Sequence, residues 1–148
     1  MKRNILLSDT NLDYIPDYIQ NYEFAYHIDI SFNNISQLPQ WITKLSELKY
    51  LKLSHNNFTI FPEILNELLH LEFLNLSDNK LLYLPISINK LINLEYLDLS
   101  KNKLSDLPVS INELSKLITL DLACNNLTSI PEIHNLVNLK YFIYIIIN

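Results

Sequence analysis

Residues 94–114 run Leu94-Glu95-Tyr96-Leu97-Asp98-Leu99-Ser100-Lys101-Asn102-Lys103-Leu104-Ser105-Asp106-Leu107-Pro108-Val109-Ser110-Ile111-Asn112-Glu113-Leu114. Leu97 and Leu99 alternate with polar neighbours, the period-two pattern of a half-buried strand. After Pro108 the apolar spacing widens to three, at Ile111 and Leu114, which suits a short helical or 3₁₀ segment with one inward face. Asn102 stands where strand gives way to loop. A strand, a turn and a helical return of this size cannot bury their own apolar edges, so the unit needs copies of itself on either side.

The copies are there. Pro16, Pro39, Pro62, Pro85, Pro108 and Pro131 are all the prolines in the chain, and each follows the last by 23 residues. On that period the units start at Lys2, Ala25, Leu48, Leu71, Leu94 and Leu117, and a one-residue deletion in the sixth leads to a truncated seventh over residues 139–148. Stacked units predict an α/β solenoid with a parallel sheet on one side. Strands about 4.8 Å apart give a seven-strand face roughly 29 Å long.

The pattern L-x-x-L-x-L-x-x-N-x-L-x-x-L-P-x-x-I-x-x-L, carried by essentially the whole chain, resembles the leucine-rich repeat family. Its 23-residue length and leucine-proline step are similar to the intracellular Ras-suppressor, scribble and erbin type. The resemblance implies a horseshoe arc in one domain over residues 1–148, with the sheet concave and short helical or 3₁₀ segments convex. It also implies a scaffold, since such repeats commonly bind other proteins, small GTPases and phosphatases among them.

Composition narrows the function independently. With no glycine among 148 residues, a P-loop or a dinucleotide-binding glycine fingerprint is ruled out. A net charge of −5 supplies no basic footprint for a phosphate backbone, so nucleic acid is not the expected partner. The longest apolar run, residues 141–147, falls well short of the roughly 20 residues a membrane span needs. The single Cys124 makes no internal disulfide, and no secretion signal is legible, so a reduced, cytoplasmic setting is expected. For the same reason glycosylation is not expected at the four sequons that the repeat generates, at Asn34, Asn57, Asn75 and Asn126. The bias to 19 Asn and 20 Ile suggests AT-rich coding, as in a large DNA virus or an intracellular parasite, and in a viral setting the cytoplasm is the host's.

On the strand face, repeat positions 3, 5 and 7 point away from the core and align in columns. Position 3 carries His27, Tyr50, Phe73, Tyr96, Thr119 and Tyr141; position 5 carries Asp29, Lys52, Asn75, Asp98 and Asp121. Aromatic anchors edged by charge are the material of protein-binding hot spots, so these eleven residues are the expected partner-binding surface. The competing reading is that large side chains merely cover a wide sheet. The acidic residues favour a partner presenting basic groups. Asn33, Asn56, Asn79, Asn102 and Asn125 share position 9 and are expected to be structural, their amides satisfying backbone groups at the turn. For the serines of position 7 the expectation is only that a small side chain suits a crowded strand end.

Catalysis finds no foothold. His27, Asp29 and Ser31 face one side of a strand, but same-face neighbours lie close to 7 Å apart, and nothing offers an oxyanion hole. His55 and Asp78 are expected to pair across adjacent strands, as are Asp29 and Lys52; two ligands without a third make no metal site, and no cofactor is implied. On the convex side Tyr18, Trp41 and Ile64 share position 17, where packing between the helical returns is favoured over an exposed patch. The seventh unit is apolar on both faces, and Ile143, Ile145 and Ile146 mark its strand as an edge able to pair with a second copy or a partner. The sequence therefore predicts a non-catalytic protein-recognition module, with self-association through the last strand as the alternative.

Overall fold

The computed structural model describes residues 3–145. It is a repetition of one coil: β1 (Arg3–Leu6), β2 (Ala25–Asp29), β3 (Tyr50–Lys52), β4 (Phe73–Asn75), β5 (Tyr96–Asp98), β6 (Thr119–Asp121) and β7 (Tyr141–Ile143) form one sheet in chain order. Every neighbouring pair is parallel, and the register joins residues one period apart, as in Tyr50↔Phe73↔Tyr96 and Lys52↔Asn75↔Asp98. The expected solenoid arc is thus the fold observed. Consecutive strands stand side by side because each coil returns to the level of the next.

The convex returns of the first five units are 3₁₀: Asp17–Asn21, Gln40–Lys44, Glu63–Glu67, Ile86–Lys90 and Val109–Glu113. Each is preceded by the periodic proline in an extended conformation, and that proline's carbonyl accepts the first bond of the turn, from the amide three residues on: Ile19, Ile42, Leu65, Ile88 and Ile111 at 2.9–3.1 Å. Proline suits this place because its fixed φ is already extended and no donor is sacrificed. The sixth unit shows what the deleted residue did. Ile133 follows Pro131 by two instead of three and the proline-capped bond is absent, while the later bonds of the return, Leu136 N–H to Ile133 C=O and Leu139 N–H to Leu136 C=O, both at 3.0 Å, survive. That coil returns through turns without a 3₁₀ segment.

The core fills the space between sheet and returns. Leu51, Leu74, Leu97 and Leu120 stack beside Leu53, Leu76, Leu99 and Leu122, all fully buried. Behind them Ile35, Phe58, Leu81, Leu104 and Leu127, and Ile42, Leu65, Ile88 and Ile111, close the second side. Each column is one repeat position, so each coil buries its neighbours' apolar edges. Trp41 is buried and donates Nε1–H to Asp17 Oδ1 at 2.9 Å, bridging two returns, while Ile64 is partly buried against the core and Tyr18 stays exposed.

The position-9 asparagines join the coils. Asn79 donates its amide to the carbonyls of Leu53 (3.0 Å), Leu76 (3.1 Å) and Ser77 (3.2 Å), and its Oδ1 accepts from Phe58 N–H (3.0 Å). Asn56, Asn102 and Asn125 repeat this four-way set one coil at a time. Asn33 meets the irregular first unit, where its Oδ1 accepts from Leu12 and Thr10 amides, and Thr10 replaces asparagine by donating its hydroxyl to Leu7 C=O at 2.7 Å.

The residue before each position-9 side chain, Thr10 or asparagine, was not singled out by sequence for its backbone. Asp9, Phe32, His55, Asp78, Lys101 and Cys124 all have φ of 52–55°, the left-handed region. In a chain without glycine the turn forces ordinary side chains into a conformation costing about 1 kcal/mol or more apiece. The asparagine fork that follows offsets that strain.

Candidate functional site: the concave face

Position 3 forms one aromatic column. Phe73 and Tyr96 stack with ring centroids 4.2 Å apart and planes 4° from parallel; Tyr50 and Phe73 stack at 5.9 Å and 28°. His27 meets Tyr50 edge-on at 6.1 Å. The in-register parallel strands put the side chains at the stacking distance that flat rings favour. All of these are half-buried, as is Thr119, whereas Tyr141 at the end of the row is exposed. Tyr26, at position 2, packs on the flank of Tyr50 at 5.2 Å, and its hydrogen bond with Tyr50 pushes the Tyr50 phenol up. Beside it Lys49 and Glu72 form an ion pair that raises the lysine.

Position 5 divides into two electrostatic halves. At the N-terminal end Lys52 Nζ lies 3.3 Å from Asp29 Oδ2. Burial would raise the Asp29 carboxyl, but hydrogen bonds from Ser31 and the Lys52 charge outweigh it, and the acid ends up below its ordinary value. His27 is pushed down by burial and by Lys52, and its Nε2 is buried without a hydrogen-bond partner. At the C-terminal end Asp98 and Asp121 are register partners, and among the described residues no cation lies within ion-pair distance of either. Burial raises Asp121, the Ala123 amide opposes it, and the Asp98 charge raises it further. Burial and the charges of Asp98 and Asp121 push the Tyr96 phenol up.

The serine column does more than fit. Ser31, Ser77 and Ser100 each donate a hydroxyl to the position-5 side chain two residues earlier, Asp29 (2.5 Å), Asn75 (2.7 Å) and Asp98 (2.7 Å), and the serine amide donates to the same oxygen. This corrects the spacing argument made above for Asp29 and Ser31: the strand ends at Asp29, and the bend that follows brings the two side chains together. The legible signal was a recurrent Asp/Asn-x-Ser, an Asx-type turn. No catalytic chain results, because Ser31 donates directly to the carboxylate and His27 Nε2 touches neither.

On the next row Phe32 and His55 stack at 4.0 Å, His55 Nδ1 lies 3.3 Å from Asp78, and Lys101 reaches the same carboxylate at 3.6 Å. Between the rows lies an open polar hollow of about 530 Å³, walled by Asp29, Ser31, Phe32, Lys52, Ser54 and Asn75. Among the described residues no group of three or more His, Cys, Asp or Glu side chains is placed to hold a metal ion. Nor, among the described residues, is any helix long and apolar enough to cross a membrane. At the far end Ile143 and Ile145 are exposed beside Tyr141 and Tyr144, while Ile146 lies outside the described residues.

Comparison with known proteins places this architecture. The family model described as a leucine-rich repeat region matches residues 60–147, and that of the leucine rich repeat matches residues 25–81. No curated protein matches the chain. Among solved structures, a Leptospira interrogans LRR protein superposes with a TM-score of 0.90 at 35% identity over 95% of this chain and 36% of its own. The plant peptide hormone receptor RGFR1, in complex with RGF2, gives 0.75 at 28% identity over 88% of this chain and 22% of its own. The functional domain of InlJ from Listeria monocytogenes gives 0.70 at 30% identity over 88% and 27%. This chain therefore spans little more than a third of such neighbours at most. With the period, the stacked parallel strands, the asparagine fork and the family match all in agreement, the chain belongs to the leucine-rich repeat family.

Proposed function

We propose that the protein is a non-catalytic recognition module whose concave sheet binds a partner protein. The observation that carries the reading is the column Tyr50, Phe73 and Tyr96: three pre-stacked rings on a rigid strand face, half open to solvent and bordered by charge. Rings already held in place lose little entropy on binding and bury large area. His27, Asp29, Lys52, Asn75, Asp98, Thr119, Asp121 and Tyr141 complete the footprint, and the unneutralised acids at its C-terminal end favour a partner with basic groups. RGFR1 was solved with its peptide hormone ligand, which supports a protein or peptide as the class of partner. The intracellular repeat subtype and a cytoplasmic setting belong to the same proposal, resting on the 23-residue period and the lone Cys124, and a fluorescent fusion locates the protein.

The test is affinity capture with purified protein. Alanine at Tyr50, Phe73 and Tyr96 together is expected to lose the specific partners that the wild type and a convex-face control, Ile86→Ser, retain. Partners kept by the triple variant refute the face.

A second reading has its own observation. Tyr141 and Ile143 are exposed on β7 and Tyr144 and Ile145 just after it, and the outer edge of β7 pairs with nothing among the described residues. Such an edge is a template for another strand, and self-association through it is the alternative. Sedimentation at micromolar concentration before and after Ile143→Lys with Ile145→Lys decides it; a monomer in both cases rejects the pairing.

A further inference from the structure

The aromatic column has a missing rung. Reading along position 3 in register, Tyr50, Phe73 and Tyr96 are followed by Thr119 and then by Tyr141. Phe73 and Tyr96 lie flat against each other at 4.2 Å, so the free face of Tyr96 looks along the row toward the place where the next ring would stand. Thr119 does not fill it. Two strand spacings, about 9.6 Å, separate Tyr96 from Tyr141 at the backbone, leaving a planar group set over Thr119 about 4.8 Å from each. That distance suits offset stacking and falls inside the reach of a cation over a ring face.

The floor of this slot is acidic. Asp98 and Asp121 occupy position 5 of β5, which bounds it on one side, and of β6, which underlies it, one strand repeat of about 6.7 Å from the ring row. The Tyr96 phenol feels both carboxylates, whose charges add to burial in raising it. Asp98 is almost wholly buried and its Oδ1 is taken by Ser100, which fixes the carboxylate in place, while Asp121 is held by the Ala123 amide. The lysines on the face are committed elsewhere, Lys52 to Asp29 and Lys101 to Asp78. Among the described residues, two fixed carboxylates side by side with no counter-charge thus lie next to a ring face with no stacking partner.

We propose that the slot over Thr119 receives an arginine side chain of the partner, its guanidinium lying on Tyr96 and its N–H groups directed at Asp98 and Asp121. The proposal rests on the concave-face reading above and gives it one specific anchor. A planar cation meets both halves of the slot at once. Lysine offers the charge without the plane, and a neutral aromatic ring offers the plane without the charge.

The test uses the whole protein and a capped pentapeptide TVRVT, with lysine and citrulline versions of its central residue, titrated by ¹H–¹⁵N chemical shifts. The arginine peptide is expected to move residues 96–98 and 119–121 and to saturate, with the citrulline and lysine peptides weaker by roughly fivefold or more. Thr119→Phe, which supplies the missing ring, abolishes the response. Asp121→Asn, which keeps the acceptor for the Ala123 amide, weakens it by roughly fivefold to tenfold. Equal binding of the arginine and citrulline peptides, no binding at millimolar peptide, or shifts centred on Asp29 and Lys52 overturns the slot. Partner capture separates the two levels. Capture lost on alanine substitution of Tyr50 and Phe73 but untouched by Thr119→Phe removes the slot and keeps the face. Capture untouched by either removes the face as the partner's site, whatever the peptide does.

Discussion

Replacing Asn79 with alanine tests the repeat's main polar device. The side chain makes four hydrogen bonds and is 7% exposed, so water cannot readily take its place. The losses are unequal. Leu53 C=O keeps a second donor in Asn56, Leu76 C=O keeps one in Asn102, and Ser77 C=O keeps the His55 amide. Phe58 N–H has Asn79 Oδ1 as its acceptor and becomes a buried orphan, which costs about 1–3 kcal/mol. Three weakened carbonyl bonds and the emptied volume add to this, for a total of about 2–4 kcal/mol. Urea unfolding followed by far-UV circular dichroism measures it, against Asn57→Ala, a half-buried residue whose side chain accepts a solvent-exposed bond from Lys80 and whose loss is expected to cost less than about 0.5 kcal/mol. Because each fork bridges adjacent coils, the loss should also lower cooperativity across the array. A cost for Asn79→Ala below about 1 kcal/mol, or one equal to that of Asn57→Ala, refutes the argument that the buried fork holds the coils together.

Other outcomes follow from the same geometry. Cys124→Asn relieves a left-handed residue at φ 55° with the side chain that best tolerates it after glycine, and should raise stability by about 0.5–1 kcal/mol in a urea melt. Leu76→Ala, at a fully buried position of the central coil, should cost about 2–5 kcal/mol by the same assay. Burial and Asp98 raise the Asp121 carboxyl in the fold, so its ionisation opposes folding: the penalty is absent below the unfolded-state value and grows as pH rises through the folded one. Asp121→Asn should therefore stabilise the protein at neutral pH and lose that advantage near pH 3, which melts at both pH values check directly. The same measurement shows that any loss of arginine-peptide binding in this variant is not a loss of fold.

What the residues reveal unaided depends on how far apart the deciding partners stand. The proline period and the alternation of Leu97 and Leu99 are local, and in a stack where each coil touches only its neighbours they suffice to set the solenoid, the register and the columns. The composition of the concave face was legible for the same reason. The conformation of position 8 was not: Phe32, His55, Lys101 and Cys124 carry no sequence mark of a left-handed turn, which the closing of the coil imposes. Nor was the pairing of Ser31, Ser77 and Ser100 with the side chain two residues before, since it needs the strand to end and bend at that point. The deleted residue in the sixth unit was visible, but its effect, the loss of the proline-capped turn, appeared only in three dimensions.

By itself, then, the sequence determined the repeat, the sheet order and which residues share a face, because a fixed period turns separation along the chain into adjacency. Only the tertiary structure decided that Tyr96 lies flat on Phe73, that Lys52 neutralises Asp29, and that Asp98 and Asp121 remain together with no counter-charge among the described residues. Ring tilt and charge pairing depend on side-chain torsions chosen against a neighbour one coil away, and no pattern of residue types fixes those angles.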